Sequence, residues 1–180
     1  MAAASAPFLR PTSLWQELGL RANQTVVHLG CGAGYYLPPA ARLVGPRGQV
    51  IGIDIREEMV SEAASRARRA GVGNGVRVIR ANLENSRGST LADGIADFTL
   101  VANILYQAAP AKIMAEAARV TKPGGTIVVI EWDTAASPLG PPLASRIPKQ
   151  QTLELAVSLK LKLEREFRPS PYHYGLLLAA

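Results

Sequence analysis

A single cysteine, Cys31, occurs in 180 residues, so no internal disulfide can form, and a reducing compartment such as the cytoplasm is expected. That thiol and two histidines, His28 and His173, are too few to build a Cys/His zinc cluster, so no metal site is expected. No apolar run approaches the roughly 18 residues of a membrane-crossing helix. The opening "MAAASAPFLRPTSLW" has neither a basic start nor a sustained apolar stretch, which argues against a secretory leader. Internal repeats are missing, as is any linker long enough to divide domains. One domain over residues 1–180 is therefore expected, with 1–22 as a leading helical segment. Charged residues make up only 19% against 48% hydrophobic, the balance of a globular chain with a full core. The net charge of +6 raises the question of nucleic acid. Its densest cluster, "SRARRAG", reads as a solvated helix face, with an RNA patch as the alternative.

What is present is an alternation. "TVVHLG", "QVIGIDI", "VRVIRA", "DFTLVAN" and "TIVVIEW" are short runs rich in Val and Ile. Between them "YYLPPAARLVG", "REEMVSEAASRARRAG" and "PAKIMAEAARVTKPGG" read as helices, several closed by glycine. Met59, Ala63, Ala67 and Ala70 recur at helical spacing and form an apolar stripe. Near-continuous apolar strands alternating with helices predict an α/β, doubly wound parallel sheet with helices on both faces. "TSLWQELGL" reads as a first helix capped by Thr12 or Ser13. "KQQTLELAVSLKL" reads as a last helix, and "RPSP" as the turn of a closing hairpin.

The first strand runs into Gly30, Gly32 and Gly34. Glycine there permits positive φ and close approach of a ligand to the backbone, beside the unpaired N–H groups of the next helix. A phosphate-binding P-loop is excluded, because no Gly-Lys-Ser/Thr follows. A dinucleotide fingerprint would need glycine at position 35, which is Tyr35. The second strand ends in Asp54, twenty positions beyond Gly34, and such a carboxylate can accept both hydroxyls of a ribose.

With these residues in place, the chain resembles the class I S-adenosylmethionine-dependent methyltransferases. "VVHLGCGAG" is similar to their first motif and "VIGIDIREEMV" to their second. "IRANLEN" is similar to the adenine-contacting segment, "ADFTLVANILYQ" to the fourth-strand motif, and "EAARVTKPGGTIVVIEW" to the helix–turn–strand beyond it. The likeness is nearest to small bacterial members of the ubiquinone/menaquinone-biosynthesis type. It implies a Rossmann-like sheet ordered 3-2-1-4-5-7-6 with strand 7 antiparallel. It also implies S-adenosyl-L-methionine as methyl donor and S-adenosyl-L-homocysteine as product. Carried over, Gly30, Cys31, Gly32 and Gly34 hold the methionine part and ribose, and Asp54 takes the ribose hydroxyls. Ile55 and Leu83 lie against the adenine, and Asn82, where the family often has Asp, meets the adenine amino group through its oxygen. Asn103 sits below the transferring methyl, either as a catalytic contact or as a loop cap.

His28 departs from the family, which usually has Asp or Glu there for the donor's amino group. A neutral imidazole brings no negative charge and a protonated one repels the sulfonium, so weaker donor affinity, worse at acidic pH, is expected unless His28 is simply a satisfied strand-end histidine. On the acceptor side, the loop at 133–148 is expected to cover the site, stiffened by its prolines. His173 is the candidate base or acceptor-orienting group, against a role in closing the hairpin. Tyr35, Tyr36 and Tyr106 are candidates for an aromatic wall, and Glu131 with Asp133 for a carboxylate pair facing the acceptor. Cys31 lies near a helix N-terminus that can lower a thiol pKa, but no base partner is evident and small buried packing is the plainer reading. Three functions follow: methyl transfer to a small-molecule acceptor, methyl transfer to RNA or protein docked on the basic surface, or donor binding without turnover.

Overall fold

The computed structural model describes residues 10–135, 137 and 139–180. Helix α1 (Pro11–Glu17) leads, followed by β1 (Thr25–Leu29), α2 (Leu37–Val44), β2 (Gln49–Asp54), α3 (Glu57–Arg69) and β3 (Val76–Arg80). Then come β4 (Ala96–Ala102), α4 (Pro110–Val120), β5 (Thr121–Trp132), α5 (Lys149–Ser158), β6 (Lys162–Ser170) and β7 (His173–Ala179). The seven strands form one sheet in the order β3-β2-β1-β4-β5-β7-β6. Pairs along β3-β2-β1-β4-β5 are parallel, and β7 runs antiparallel to both β5 and β6. This is the architecture that the sequence and its resemblance predict.

Burial explains it. In β1, β2 and β4 nearly every side chain is buried, as a strand covered on both faces requires. One face packs Val26, Val50, Leu100 and Val128 against α1, α2 and Ala63 of α3; the other packs Val27, Ile51, Val101 and Ile127 against Ile113, Met114 and Ala117 of α4. Right-handed crossovers carry the chain from β1 outward to β3 over the first face and from β4 outward to β5 over the second. The strand order therefore reverses between β1 and β4, where open α/β sheets leave a crevice beyond their carboxyl ends. Edge strand β6 shows Lys162, Glu164, Arg165, Glu166 and Arg168 to solvent, charges that discourage pairing with another chain. Among the described residues, no helix is long and apolar enough to cross a membrane.

Three local expectations are revised. Helix α1 begins with Pro11 at its first position and Arg10 before it, not with a Thr12 or Ser13 cap, because the fixed φ of proline already suits that position. "TKPGG" belongs to β5, with a register shift between Ala96 and Phe98 of β4. Lys122 pairs with Asp97 at 2.7 Å and Gly124 N–H donates to the Ala180 carbonyl, which holds this irregular stretch in the sheet. Helix α5 stops at Ser158, and Lys162 already opens β6. Residues 1–9 of the expected leading segment lie outside the described residues, as do Ala136 and Pro138 of the 133–148 loop.

Candidate active site

A cavity of about 550 Å³ opens at the carboxyl ends of β1, β2, β4 and β5, within the range of small-molecule sites. The turn after β1 forms its floor. Gly30, Gly32 and Gly34 all have positive φ, of 69°, 50° and 75°. Their duties differ. A Cβ on Gly32 would meet nothing within 4 Å, so it would project into open space; one on Gly30 would strike the Ile104 side chain at 2.1 Å. A Cβ on Gly34 would sit 2.7 Å from the Ala63 Cβ and 2.9 Å from its Cα. Gly34 does not line the cavity. It lets α3 pack on the turn, which corrects its assignment to ligand binding.

Asp54, buried at the end of β2, accepts the Gly32 N–H on Oδ2 at 2.8 Å and the Arg56 N–H on Oδ1 at 3.0 Å. A carboxylate offers roughly four lone-pair positions, so half of its capacity remains for a ligand. Ile55, an exposed apolar side chain, and the buried Leu83 line the cavity beside it. Asn82 lines it too, but its Oδ1 accepts the Glu84 N–H at 2.9 Å. The local turn takes one of the two lone pairs of that oxygen, which leaves one acceptor position and the NH₂ donors for a ligand. Glu84 in turn accepts the Ala109 N–H at 2.7 Å and ties this wall to the start of α4.

Asn103 follows β4 in the left-handed region, with φ of 54°, a conformation that Asn tolerates better than most residues. Its N–H donates to the Ile130 carbonyl at 2.9 Å, its own carbonyl accepts from Gln107 Nε2 at 2.7 Å, and its Oδ1 is buried without a partner. Glu131 fixes the next peptides: its Oε1 accepts Ile104 N–H at 2.7 Å and Leu105 N–H at 2.6 Å. Burial pushes the Glu131 carboxyl up to about 7, against those stabilising N–H donors. Glu131 does not face the cavity. Asp133 accepts the Ala135 N–H and lies 3.6 Å from Arg168. The expected carboxylate pair is therefore not formed at the acceptor side, because Glu131 is turned to the Ile104 and Leu105 peptides while Asp133, beyond the end of β5, is turned to Ala135 and Arg168.

His28 lines the cavity at 2% exposure, and neither ring nitrogen has a partner. Its ring meets Tyr36 edge to face at 5.4 Å. Burial lowers its pKa to about 3, outweighing the Asp54 charge that raises it. The imidazole is thus neutral through the physiological range, and the expected loss of donor affinity from its protonation in mild acid does not apply. Cys31 also lines the cavity, with its thiol pushed up to about 12 by burial first and by Asp54 second, so it packs and does not react.

Tyr35, Tyr36 and Tyr106 all reach the cavity, Tyr35 at 54% exposure on the rim. The residue that sequence reasoning missed is Trp132, the last of β5, whose indole forms part of the wall. Its signal was its position, one strand over from Asn103 at the same sheet edge. The loop after it is the expected cover of the cavity. Among its described residues none lines the space, and the loop packs on Trp132 instead: a Cβ on Gly140 would lie 2.5 Å from the indole. Buried Arg146 sits over the same ring and donates to the carbonyls of Asp133, Ala135, Leu139 and Pro141. His173 stacks behind Trp132, ring centres 4.2 Å apart, and its Nδ1 lies 2.7 Å from Ser170 Oγ. It is fully buried and absent from the cavity wall, so the candidate base is separated from any acceptor by the indole. On the basic helix face, Arg66 donates to the Ala33 carbonyl at 2.8 Å and Arg69 pairs with Glu62 at 2.8 Å. Both are engaged by the protein itself.

The model of the methyltransferase domain family matches residues 20–166, well over half of the chain. The chain belongs to the methyltransferase domain family. A ubiquinone/menaquinone biosynthesis C-methyltransferase of Psychromonas ingrahamii is 33% identical over 127 residues, which cover 70% of this chain and 48% of the relative. An uncharacterized 37.1 kDa protein in a Streptomyces fradiae transposon is 36% identical over 120 residues, 65% of this chain and 33% of the relative. The methyltransferase domain thus spans a third to a half of the length of these curated relatives. Among solved structures, a SAM dependent methyltransferase from Aquifex aeolicus superposes with a TM-score of 0.86 at 27% identity, covering 96% of this chain and 90% of that one. Geranyl diphosphate C-methyltransferase from Streptomyces coelicolor A3(2) shares the fold at 16% identity, with a TM-score of 0.76 over 94% of this chain and 78% of its own.

Proposed function

We propose that this protein transfers a methyl group from S-adenosyl-L-methionine to a small-molecule acceptor. The observation that carries the reading is the pairing of Asp54 with Gly32: a buried carboxylate braces an open glycine turn and keeps acceptor capacity over a cavity of small-molecule size. The residues fit an adenosine. Asp54 has lone pairs for two ribose hydroxyls, and Ile55 and Leu83 offer apolar surface for a flat base. The Asn82 NH₂ donates, which suits a ring nitrogen of adenine. Orphaned polar atoms on His28, Tyr36 and Asn103 await partners at the other end.

When bound, the donor supplies an electrophilic methyl on a sulfonium sulfur, open to in-line displacement. What the protein adds is alignment and exclusion of water. Asp54 anchors the sugar. Asn103, held by the Glu131 clamp on the following peptides, orients groups where β1 and β4 part. Tyr35, Tyr106 and Trp132 give the acceptor an aromatic, largely uncharged enclosure. The carboxylates of the described cavity lining, Asp54 and Glu84, are engaged by backbone N–H groups and the buried His28 is a weak base, so the acceptor atom enters in its nucleophilic form or loses its proton to solvent. A small acceptor is favoured over RNA because Arg66 and Arg69 of the basic helix are paired on their own surface. Calorimetry with S-adenosylhomocysteine, then a screen of small molecules with methyl-labelled donor, tests the proposal. Saturable binding lost in Asp54→Ala and salt-insensitive label transfer are expected. No binding to folded protein, or transfer only to RNA with steep salt dependence, refutes it.

A further inference from the structure

If adenosine occupies Asp54, Ile55, Asn82 and Leu83, the amino-acid end of the donor must extend toward the remaining polar lining of the cavity. There stand His28 and Tyr36. Both ring nitrogens of His28 and the Tyr36 hydroxyl are buried without partners, and both side chains line the cavity. A neutral imidazole carries one donor and one acceptor, and a phenol can do both. Neither brings a charge. The carboxylate that acts on His28 is Asp54, whose oxygens are already shared by the Gly32 and Arg56 N–H groups and by the sugar in the proposed function. An ammonium buried at this place would leave water with its own α-carboxylate but with no protein counter-charge beyond the shared Asp54, a costly transfer that favours its neutral form.

Resting on that proposed function, we propose that His28 and Tyr36 form an uncharged subsite that takes the α-amino group of the donor as a neutral amine. One N–H bond of the ligand's ammonium breaks on entry, its electron pair stays on nitrogen, and the proton leaves to the buffer. The amine then donates to the acceptor nitrogen of His28 and the Tyr36 oxygen, and accepts from whichever donor remains.

Other groups around the cavity have to be separated from this effect. Cys31 is pushed up to about 12, and Tyr36 and Tyr106 are also raised, so none of them titrates between pH 6.5 and 8.5. Asp54, Glu84 and Arg56 line the same space, and 5′-methylthioadenosine, which meets the same three groups without an amino-acid end, controls for them. Glu131, behind the Ile104–Leu105 peptide, does titrate near 7 and must be controlled.

The test is calorimetry of the whole protein with S-adenosylhomocysteine and with 5′-methylthioadenosine, which lacks the amino-acid end. It is run at pH 6.5, 7.5 and 8.5 in buffers of different ionisation enthalpy. The expected result is a dissociation constant for S-adenosylhomocysteine that falls about tenfold per pH unit below the ligand ammonium pKa, with close to one proton released, while 5′-methylthioadenosine is flat. The slope persists in Glu131→Gln, which keeps the acceptor oxygen, and vanishes in His28→Asp, which binds S-adenosylhomocysteine without proton release. Flat binding of S-adenosylhomocysteine by the wild type, or a slope lost in Glu131→Gln, overturns the proposal while the donor reading stands. Binding of neither compound overturns both. The wild-type pH series decides the matter even if a variant does not fold.

Discussion

Replacing Gly34 and Gly32 by alanine, one at a time, separates a glycine that serves packing from one that serves a ligand. Both have positive φ, of 75° and 50°, so each alanine bears the left-handed penalty of about 1–2 kcal/mol. Only Gly34→Ala adds a steric term. Its methyl would lie 2.7 Å and 2.9 Å from Ala63, the second being a backbone atom of α3, and 3.2 Å from Leu37 Cδ1. Overpacking of this kind costs about 1–3 kcal/mol more. The totals are about 2–5 kcal/mol for Gly34→Ala and about 1–2 kcal/mol for Gly32→Ala. For a domain of this size each kcal/mol lowers the melting temperature by roughly 2–4 °C. Urea unfolding supplies the stabilities and calorimetry with S-adenosylhomocysteine supplies the affinities. Gly32→Ala should remain folded yet lose at least tenfold in binding, because its methyl enters the cavity. Gly34→Ala should lose mainly stability, with near-normal affinity in the fraction that folds. Equal destabilisation of the two, or unaltered binding in Gly32→Ala, would refute the division of labour.

Other consequences can be measured directly. Burial depresses His28 to about 3 and His173 to about 4, so the unfolded chain takes up protons first as pH falls below the usual histidine value. Stability contributed by the two neutral rings should therefore be full above about pH 6.5 and lost below it, by about 1.4 kcal/mol per pH unit for each ring. Urea titrations from pH 7 to 4.5 that show no acid-side loss would contradict this. Glu131 acts in the opposite sense: its raised folded value means stability is lost as pH rises from the ordinary carboxyl range through about 7. Glu131→Gln should gain on the wild type between pH 5 and pH 8, by at most about 3 kcal/mol, and a pH-independent difference would discredit the buried-carboxyl assignment. Arg146→Met should destabilise by about 2–4 kcal/mol, because four loop carbonyls lose a charged donor together. Chemical denaturation within about 0.5 kcal/mol of the wild type would show that the carbonyls find other partners.

The alternation of Val- and Ile-rich runs with helical stripes was enough to read the sheet, because β1, β2 and β4 are buried on both faces and leave no polar side to confuse the pattern. The position of the cavity was legible for the same reason: Gly30, Gly32, Asp54 and Asn103 all stand at carboxyl ends of neighbouring strands. Tertiary detail was not. Nothing local in "TKPGG" announces that Lys122 will find Asp97, or that the chain's last residues will hold Gly124 in the sheet. Periodicity puts Glu131 and His173 near the right edge but does not say which face receives them, and each ended buried behind a cavity wall. Asn82 shows the limit most clearly: nothing in its type or place announces that its oxygen already accepts an amide two residues away.

Trp132 has its back to Gly140, Arg146 and His173 while its front borders the cavity. The enclosure is therefore borrowed from two separate parts of the chain. Connections after the first three strands carry the side that the proposed function gives to the nucleoside, and the region beyond the fourth and fifth strands carries the opposite one. Substitutions in the proline-rich excursion should tilt the indole and change which acceptors fit, with the nucleoside grip untouched. A lineage built this way can diversify its second substrate while its first stays constant.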